Sequence, residues 1–277
     1  MNMYIVSPFT PLFFSPSSDV SGCKSHYTQV FAPTDQILIE VIVRAESRAI
    51  TGKIISVCDN SEMDIEWNVW SMNDSDKLYY YVITGLEDGY YMVNVNDSNS
   101  EPFRITSDES VLKNTTLIQY SSKDNKDRQD VIFFVSEQQM FFDWRVHGGF
   151  KDSNWSFGVD NEQFTNSEND LSEIYSRHYT MKTFTLGGNI GCPIWYGEHL
   201  NRILSCTYVY FNGKRYIRSE SNVPEINQVI DDVRSYVFNQ ILREIQFVDY
   251  TESENMLKIR RVQDNNMRQY DNRLLIL

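Results

Sequence analysis

The chain has 277 residues, of which 41% are hydrophobic and 14% aromatic, and its formal net charge is −13. This apolar content supports a packed core and excludes a disordered chain, while 12 Gly and 7 Pro are too few for a fibrous or low-complexity protein. The negative charge excludes a protein that wraps nucleic acid, because binding of phosphates requires a positive surface.

The first 34 residues contain Pro, Ser and single aromatic residues without a period, which predicts an extended N-terminal arm over residues 1–34. Such an arm is ordered only when it lies on another surface, and in an oligomer that surface is often a neighbouring subunit. Its aromatic side chains are therefore predicted interface residues, namely Phe9, Phe13 and Phe14. Deletion of residues 1–16 is expected to impair assembly more than folding.

Residues 35–108 predict a β-sandwich domain, because short runs rich in β-branched and aromatic residues alternate with polar turns. The predicted strands cover residues 37–43, 52–57, 65–70, 77–84, 90–95 and 100–105. Gly85 and Gly89 frame the turn between the fourth and fifth strands, since glycine adopts positive φ values freely.

Residues 109–277 predict a second β domain with one or two flanking helices. Strands are expected at residues 116–120, 130–135, 140–146, 179–186, 256–262 and 274–277. Gly148 and Gly149 are expected to end the third of these strands. The polar stretch 152–170 that follows is expected to be a surface loop.

Two turn signals lie in the middle of this second domain. Pro193 is expected to open a helix, and Asn212-Gly213 predicts a β-hairpin because this dipeptide supplies the positive φ values of a type I′ turn. Apolar residues in 225–245 recur at helical spacing and predict a long amphipathic helix. Residues 236–248 are nevertheless rich in β-formers, so a strand stays open as the alternative there.

A set of short segments spread over most of the chain resembles a group of uncharacterised proteins from phages and prophages of gut Bacteroidetes. The segments are Cys23, residues 31–37 (FAPTDQI), 100–103 (SEPF), 117–121 (LIQYS), 145–150 (RVHGGF), 191–196 (GCPIWY) and 201–206 (NRILSC). The resemblance implies a structural component of the virion tail, such as a hub, ring or baseplate protein. It also implies that both β domains are β-sandwich or tube-like, as is common in such proteins. It assigns no functional residue.

Patterns that carry chemistry are missing from the sequence. There is no Gly-x-Ser-x-Gly elbow, and the four histidines, His26, His147, His178 and His199, lack the spacing of a zinc site. With 38 acidic residues, pairs of carboxylates carry no information about glycosidase activity. The sequence therefore predicts a protein that is not an enzyme, with no catalytic residue, cofactor or metal.

Cysteine usage and hydropathy indicate the compartment. The four cysteines, Cys23, Cys58, Cys192 and Cys206, form no Cys-x-x-Cys pair and favour buried free thiols. Residues 1–16 lack a basic start and do not resemble a secretory signal, and no apolar run reaches the ~18 residues of a membrane helix. Assembly in the bacterial host cytoplasm, without membrane insertion, is expected.

Trp155 and Phe157 stand out because they lie in the polar stretch 152–170, where burial within the chain is difficult. We expect them to anchor a contact with another subunit. Together with the resemblance to phage proteins, these features predict a tail protein of the virion that forms a homo-oligomeric ring and contacts other tail proteins, with passive passage of DNA compatible with its acidity. The alternative is a receptor-binding or glycan-binding β-sandwich module, in which exposed aromatic rings stack on sugars.

Overall fold

The N-terminal half of the chain consists of short strands that form two stacked sheets. The computed structural model describes residues 4–15, 27–44, 50–125, 129–152, 155–165, 167, 169, 171–189, 191–219, 225–230, 233–245, 258–261 and 268–271. The strands of the N-terminal half are β1 Tyr4–Val6, β2 Phe14–Ser15, β3 Gln29–Phe31, β4 Ile37–Val43, β5 Gly52–Ser56, β6 Glu62–Asp64, β7 Asn68–Ser71, β8 Lys77–Ile83, β9 Gly89–Val95, β10 Ser98–Ser100 and β11 Phe103–Ile105.

Sheet I has the strand order β1-β4-β8-β7, and sheet II has the order β2-β10-β9-β11-β3, with β5 joined to β9 and β6 joined to β5. Apolar side chains of both sheets share one core, as a β-sandwich requires. Buried members of this core are Ile37, Ile39, Val41, Val43, Ile54, Val93, Val95, Phe103 and Ile105. The mainly β fold predicted from the sequence is confirmed.

The C-terminal half contains the longer strands and both helices. Its elements are α1 Glu109–Leu112, β12 Thr115–Ser121, β13 Phe134–Val135, β14 Gln138–Gln139, β15 Phe142–Phe150, β16 Ser156–Thr165, β17 Leu171–Leu186, α2 Ile194–Ile203, β18 Tyr208–Phe211, β19 Lys214–Arg218, β20 Glu225–Ile230, β21 Val233–Glu244, β22 Lys258–Arg261 and β23 Arg268–Asp271.

Six of these strands close into an antiparallel barrel. The ring of pairings runs β12-β15-β17-β21-β19-β18 and returns to β12. Ile118 lies opposite both Trp144 and Phe211, so the three side chains share one face, and all three are fully or almost fully buried. Phe184 and Leu242 belong to the same buried cluster. The barrel interior is therefore filled by side chains, as in other small barrels.

Strand β4 is buried along its whole length. Side chains of a strand alternate between its two faces. Ile37, Ile39 and Val41 belong to the sandwich core, whereas Leu38 and Ile42 belong to the cluster that also contains the barrel side chains. Sheet I is thus the middle layer between sheet II and the C-terminal half.

Charged side chains tie the start of β4 to the barrel strand β15. The Arg145 guanidinium binds both carboxylate oxygens of Asp35, with Nε to Oδ2 at 2.6 Å and Nη2 to Oδ1 at 2.8 Å. The backbone N of Gln36 donates to Oδ2 of Asp143 at 2.9 Å, and Nε2 of Gln119 donates to Oδ1 of the same carboxylate at 3.1 Å. These directional bonds fix the register between the two halves.

A second polar contact lies in the middle of β4. The Glu40 side chain is fully buried, and its Oε2 accepts a hydrogen bond from the backbone N of Ile132 at 3.1 Å. Burial raises the pKa of this carboxyl to about 8, and Asp130 raises it as well. Because its pKa lies above 7, Glu40 is mainly protonated and neutral at that pH.

The N-terminal segment lies on the chain itself. Phe9 is fully buried against the rings of Tyr120 and Phe133, and its backbone O accepts a hydrogen bond from the Tyr120 hydroxyl. Arg202 Nη1 donates to the backbone O of Pro8 at 2.9 Å. The described residues of the arm thus pack on the chain's own body, and Phe9 completes its core without a neighbouring subunit. That deletion of residues 1–16 impairs assembly more than folding stays a prediction.

Several local predictions are confirmed. The strands expected at 37–43, 77–84, 90–95 and 116–120 correspond to β4, β8, β9 and β12, and the helix after Pro193 is α2. The Asn212-Gly213 turn joins β18 to β19, with φ values of 49° and 82°. The late strand at 256–262 corresponds to β22, and the one at 274–277 lies outside the described residues.

Three local predictions are wrong. The helix expected at 225–245 is replaced by strands β20 and β21, and the strand alternative for its second half is correct. Strand β15 continues through Gly148 and Gly149 to Phe150. Residues 156–165, expected in a loop, form strand β16. The end of β15 and strand β21 pair with β17, which is distant in sequence, and local patterns do not report such pairings. Strand β16 pairs with the following strand β17 in a hairpin that its polar composition did not indicate.

Phe9→Ala is expected to lower the free energy of unfolding by about 3–5 kcal/mol, because it leaves a cavity between the two halves. Ile5→Ala, on the neighbouring and partly exposed strand β1, is the control and is expected to change it by less than about 1 kcal/mol. Urea denaturation followed by tryptophan fluorescence measures both. An equal, small effect for the two variants would contradict the burial of Phe9 in the core.

Glu40 makes stability depend on pH. Its folded-state pKa of about 8 exceeds the ordinary value of 4.5, so the folded protein retains a proton that the unfolded chain releases above that value. The free energy of unfolding is therefore expected to fall as the pH rises from about 5 to about 8, by up to about 1.4 kcal/mol per pH unit. Glu40→Gln should flatten this decline in urea titrations, whereas Glu66→Gln at an exposed site should preserve it.

Candidate interaction surface

Strands β16 and β17 continue beyond the barrel as a two-stranded ribbon. β17 pairs with β21 only from Thr180 onward, and with β15 only from Phe184. On the N-terminal side of Thr180, away from the barrel, β17 pairs only with β16. Eight cross-strand pairs join the two strands there, from Gly158 opposite Tyr179 to Thr165 opposite Leu171. At ~3.3 Å per residue, this ribbon, residues 158–165 and 171–179, extends about 26 Å from the barrel.

The ribbon and its base expose a concentration of large apolar side chains. In the described part of the chain, seven of the fifteen exposed large hydrophobic residues lie between positions 155 and 175. The seven are Trp155, Phe157, Val159, Phe164, Leu171, Ile174 and Tyr175. Phe157 is 74% exposed. Strand alternation places Val159 and Phe164 on opposite faces, so both faces of the ribbon carry apolar side chains.

Such a ribbon is unfavourable for an isolated molecule. A two-stranded hairpin is marginally stable in water without a covered face, and an unpaired strand edge invites pairing with another chain. Among the described residues, no strand pairs with the outer edge of β16. Apolar residues grouped in this way are typical of a surface that another molecule covers.

The base of the ribbon is held rigidly on the barrel. Gly158 lies under the Tyr179 ring, where a Cβ atom would come within 2.3 Å of Tyr179 Cζ. On the barrel strand β21, Arg243 stacks on the Tyr179 ring at 4.1 Å from its centroid. The same guanidinium forms an ion pair with Asp160, Nη2 to Oδ2 at 3.5 Å. Contacts from both strands of the ribbon thus meet at one barrel arginine.

A second set of contacts lies beside the base, where β17 leaves the barrel. Lys182 Nζ lies 4.4 Å from the centroid of the Trp155 ring and forms an ion pair with Glu244 at 2.5 Å. The Tyr216 hydroxyl donates to the same carboxylate at 3.3 Å. Burial raises the pKa of Tyr216, and the negative charge of Glu244 raises it further. Trp155 therefore covers a largely buried polar cluster and remains half-exposed itself.

The predicted interface residues separate into two groups. Phe9, Phe13 and Phe14 contact the chain itself, with Phe13 stacked on Trp195 at a centroid distance of 4.4 Å. Trp155 and Phe157 are exposed at the ribbon base, and their rings contact each other. Sequence analysis did not single out the other five exposed apolar residues of the ribbon, which are Val159, Phe164, Leu171, Ile174 and Tyr175. The sequence offers little signal for them, because apolar residues between 164 and 175 do not alternate regularly with polar ones.

A cleft of about 380 Å³ lies between the N-terminal segment and α2, and Phe13, Trp195 and His199 are among the residues that line it. Burial lowers the pKa of its His199 to about 3, with a further decrease from Arg202, so the imidazole is neutral. His199 Nε2 lies 3.2 Å from the Tyr120 hydroxyl. His199 thus contacts Tyr120 of the core, and Arg202 contacts the backbone of Pro8 in the N-terminal segment.

Metal ligands do not converge in the described part of the chain, where no group of three or more His, Cys, Asp or Glu side chains is placed to hold an ion. Cys58 and Cys192 are free thiols. Cys192 is buried as expected, but Cys58 is exposed, so the expectation of buried thiols is wrong for it. Cys23 and His26 lie outside the described residues.

Comparison of the chain with protein-family models, with curated proteins and with solved structures gave no match. The resemblance to tail proteins of phages stays a prediction. Among the described residues, no helix has the length and apolar character to cross a membrane. The function of the ribbon has to be inferred from its own residues.

Tyr179→Ala is expected to loosen the ribbon without unfolding the barrel, because it removes the ring that Gly158 and Arg243 contact. Backbone amides of residues 158–162 should exchange with deuterium at least about tenfold faster, since ring and cation contacts of this kind contribute roughly 1–2 kcal/mol. Tyr175→Ala, an exposed tyrosine on the same strand, is the control. Faster exchange in the barrel strand β12 would show instead that Tyr179 stabilises the whole half.

Proposed function

We propose that the protein is a structural subunit of a bacteriophage tail, which assembles with copies of itself into a ring and joins neighbouring tail proteins. The observation that supports this proposal most directly is the exposed apolar ribbon on a filled barrel. The filled barrel holds the ribbon in a defined position, and the ribbon offers an apolar surface that another subunit can bury. Specific interfaces bury about 800 Å² per partner, and in a ring each subunit forms two of them.

A second copy of the chain is the partner we infer, and the charges on β16 favour a ring over a two-fold dimer. Two β16 edges paired around a two-fold axis at Asn161 would place Asp160 of one copy opposite Glu162 of the other. Like charges directly opposite each other destabilise a strand pair. A contact between two different surfaces avoids this, and repetition of such a contact closes rings.

The net charge of −13 fits a ring around passing DNA. A negative lumen repels phosphates and so does not retain the duplex, and the chain needs no sequence-specific nucleic-acid surface for this role. We infer from the same charge that direct contacts between copies require apolar burial or opposite charges. The ribbon provides the apolar part.

The glycan-binding alternative relies on the same residues. Trp155 and Phe157 are exposed aromatic side chains in mutual contact, and exposed aromatic rings stack on sugars. The cation of Lys182 over the Trp155 ring and the apolar side chains along the ribbon favour a protein partner instead. Retention of the protein on immobilised glycans, lost in Trp155→Ala, would support the alternative.

Phe164→Asp/Leu171→Asp is expected to abolish assembly, because two carboxylates would have to enter the buried interface unpaired. Val57→Asp/Val69→Asp is the matched control, since both valines are exposed apolar residues outside the ribbon. Mass photometry and negative-stain imaging measure the oligomeric mass and the presence of rings. A wild-type protein that stays monomeric across the accessible concentrations would contradict the proposed function.

A further inference from the structure

One face of the ribbon repeats a pair of side chains that binds arginine. At the base, Tyr179 stacks on Arg243, and Asp160 forms an ion pair with the same guanidinium. Further from the barrel, Tyr175 lies directly opposite Glu162, and both are exposed. Strand alternation places this second pair on the same face as the first, which continues the outer surface of the barrel. A tyrosine and a carboxylate thus occur twice on this outer face of the ribbon.

The second pair lacks the arginine that the first pair binds. Among the described residues, Glu162 forms no ion pair. In the described ribbon, the one cation on this face is Arg177, which lies opposite Asp160. An aromatic ring binds the face of a guanidinium and a carboxylate accepts its N–H groups, so Tyr175 and Glu162 are suited to hold an arginine. The ribbon projects away from its own barrel, so this arginine has to come from another molecule.

A complementary surface lies on the outside of the barrel, on strand β19. This strand contains three basic residues and no acidic one. Arg215 and Ile217 lie on its outer face, because Tyr216 between them belongs to the buried core. On the neighbouring strand β21, Ile241 lies diagonal to Ile217 on the same face. The two isoleucines are 40% and 38% exposed. The outer patch, Arg215, Ile217 and Ile241, is therefore both basic and apolar.

The outer patch matches the ribbon in chemistry and in spacing. The Arg215 guanidinium lies 4.9 Å from the centroid of the Tyr208 ring, and because a guanidinium is planar, its second face can bind another aromatic ring. On the ribbon, Phe164 follows Glu162 by two residues on the same face. Ile217 likewise follows Arg215 by two residues, and both spacings are about 7 Å. A ribbon aligned with β19 therefore brings the carboxylate to the guanidinium and Phe164 to Ile217 at the same time.

On the basis of the proposed ring, we propose that the outer face of one copy's ribbon docks along β19 of the next copy, where Tyr175 and Glu162 bind Arg215. The contact repeats between two copies the one that the base of the ribbon makes with its own barrel. Phe164 packs on the two isoleucines of the outer patch. The two surfaces differ, and the contact is therefore head to tail, as a ring requires. The charge pair fixes its orientation and makes it sensitive to salt.

Exchange of one charge between the two surfaces tests the contact. Glu162→Arg and Arg215→Glu are each expected to weaken assembly at least about tenfold at about 50 mM salt, because like charges would meet across the interface. An equimolar mixture of the two variants should recover association to within about threefold of the wild type, since in alternating order every ribbon meets an outer patch of opposite charge. Mass photometry gives the association constants, and circular dichroism verifies that the variants are folded.

Each variant has a matched control outside the two surfaces. Glu66→Arg changes an exposed carboxylate outside the ribbon. Arg104→Glu removes a half-buried guanidinium that lies over the Tyr90 ring, in a contact of the same kind as that of Arg215. Both controls are expected to assemble like the wild type. Recovery in the mixture of Glu162→Arg with Arg215→Glu cannot result from a change of net charge or of local stability, because neither protein is altered by mixing.

Other outcomes overturn the contact and separate it from the proposed function. Rings that form normally with either variant, or a mixture of folded variants that stays dissociated, would refute this contact while leaving a ring protein. If Arg215→Glu does not fold, Lys214→Glu decides, because this neighbouring side chain is 67% exposed. It is expected to weaken assembly at least about threefold, and unchanged assembly would refute the contact. A monomeric wild type would refute both the contact and the ring.

Discussion

Burial of β4 on both faces is the constraint on which the rest of the structure depends. Ile39 and Val41 point to different layers from Leu38 and Ile42, so the strand needs a sheet on one side and the C-terminal half on the other. Sheet II alone cannot bury both faces of β4, because a strand with apolar residues on both faces has no face suited to water. The two halves therefore form one apolar body.

The polar contacts at this boundary set its geometry. Apolar packing by itself allows layers to slide past each other. The bidentate ion pair between Arg145 and Asp35, in contrast, is favourable in only one relative position of the two layers. Glu40 contributes differently, since its buried carboxyl is neutral at pH 7 and accepts a backbone hydrogen bond without introducing a charge. The position of the barrel relative to sheet I follows from these bonds together with the burial of Phe9.

Strand β17 connects the barrel to the ribbon. Its residues from Thr180 to Leu186 have partners within the barrel, and its residues from Leu171 to Tyr179 pair only with β16. The direction of the ribbon is thus an extension of a barrel strand, secured by Arg243 at its base. Because its base has a fixed direction, the ribbon loses less conformational entropy on docking than a free segment would, which favours its use as an assembly element.

The sequence by itself determined the mainly β class, the strand β4, the helix after Pro193 and the hairpin at Asn212-Gly213, because these depend on local alternation and on backbone conformations that single residues favour. It also indicated that Trp155 and Phe157 are exposed. Only the tertiary structure decided that β21 is a strand and that β16 is one arm of a ribbon. Both depend on hydrogen bonds to β17, which neither the helical spacing of apolar residues in 225–245 nor the polar composition of 152–170 encodes locally.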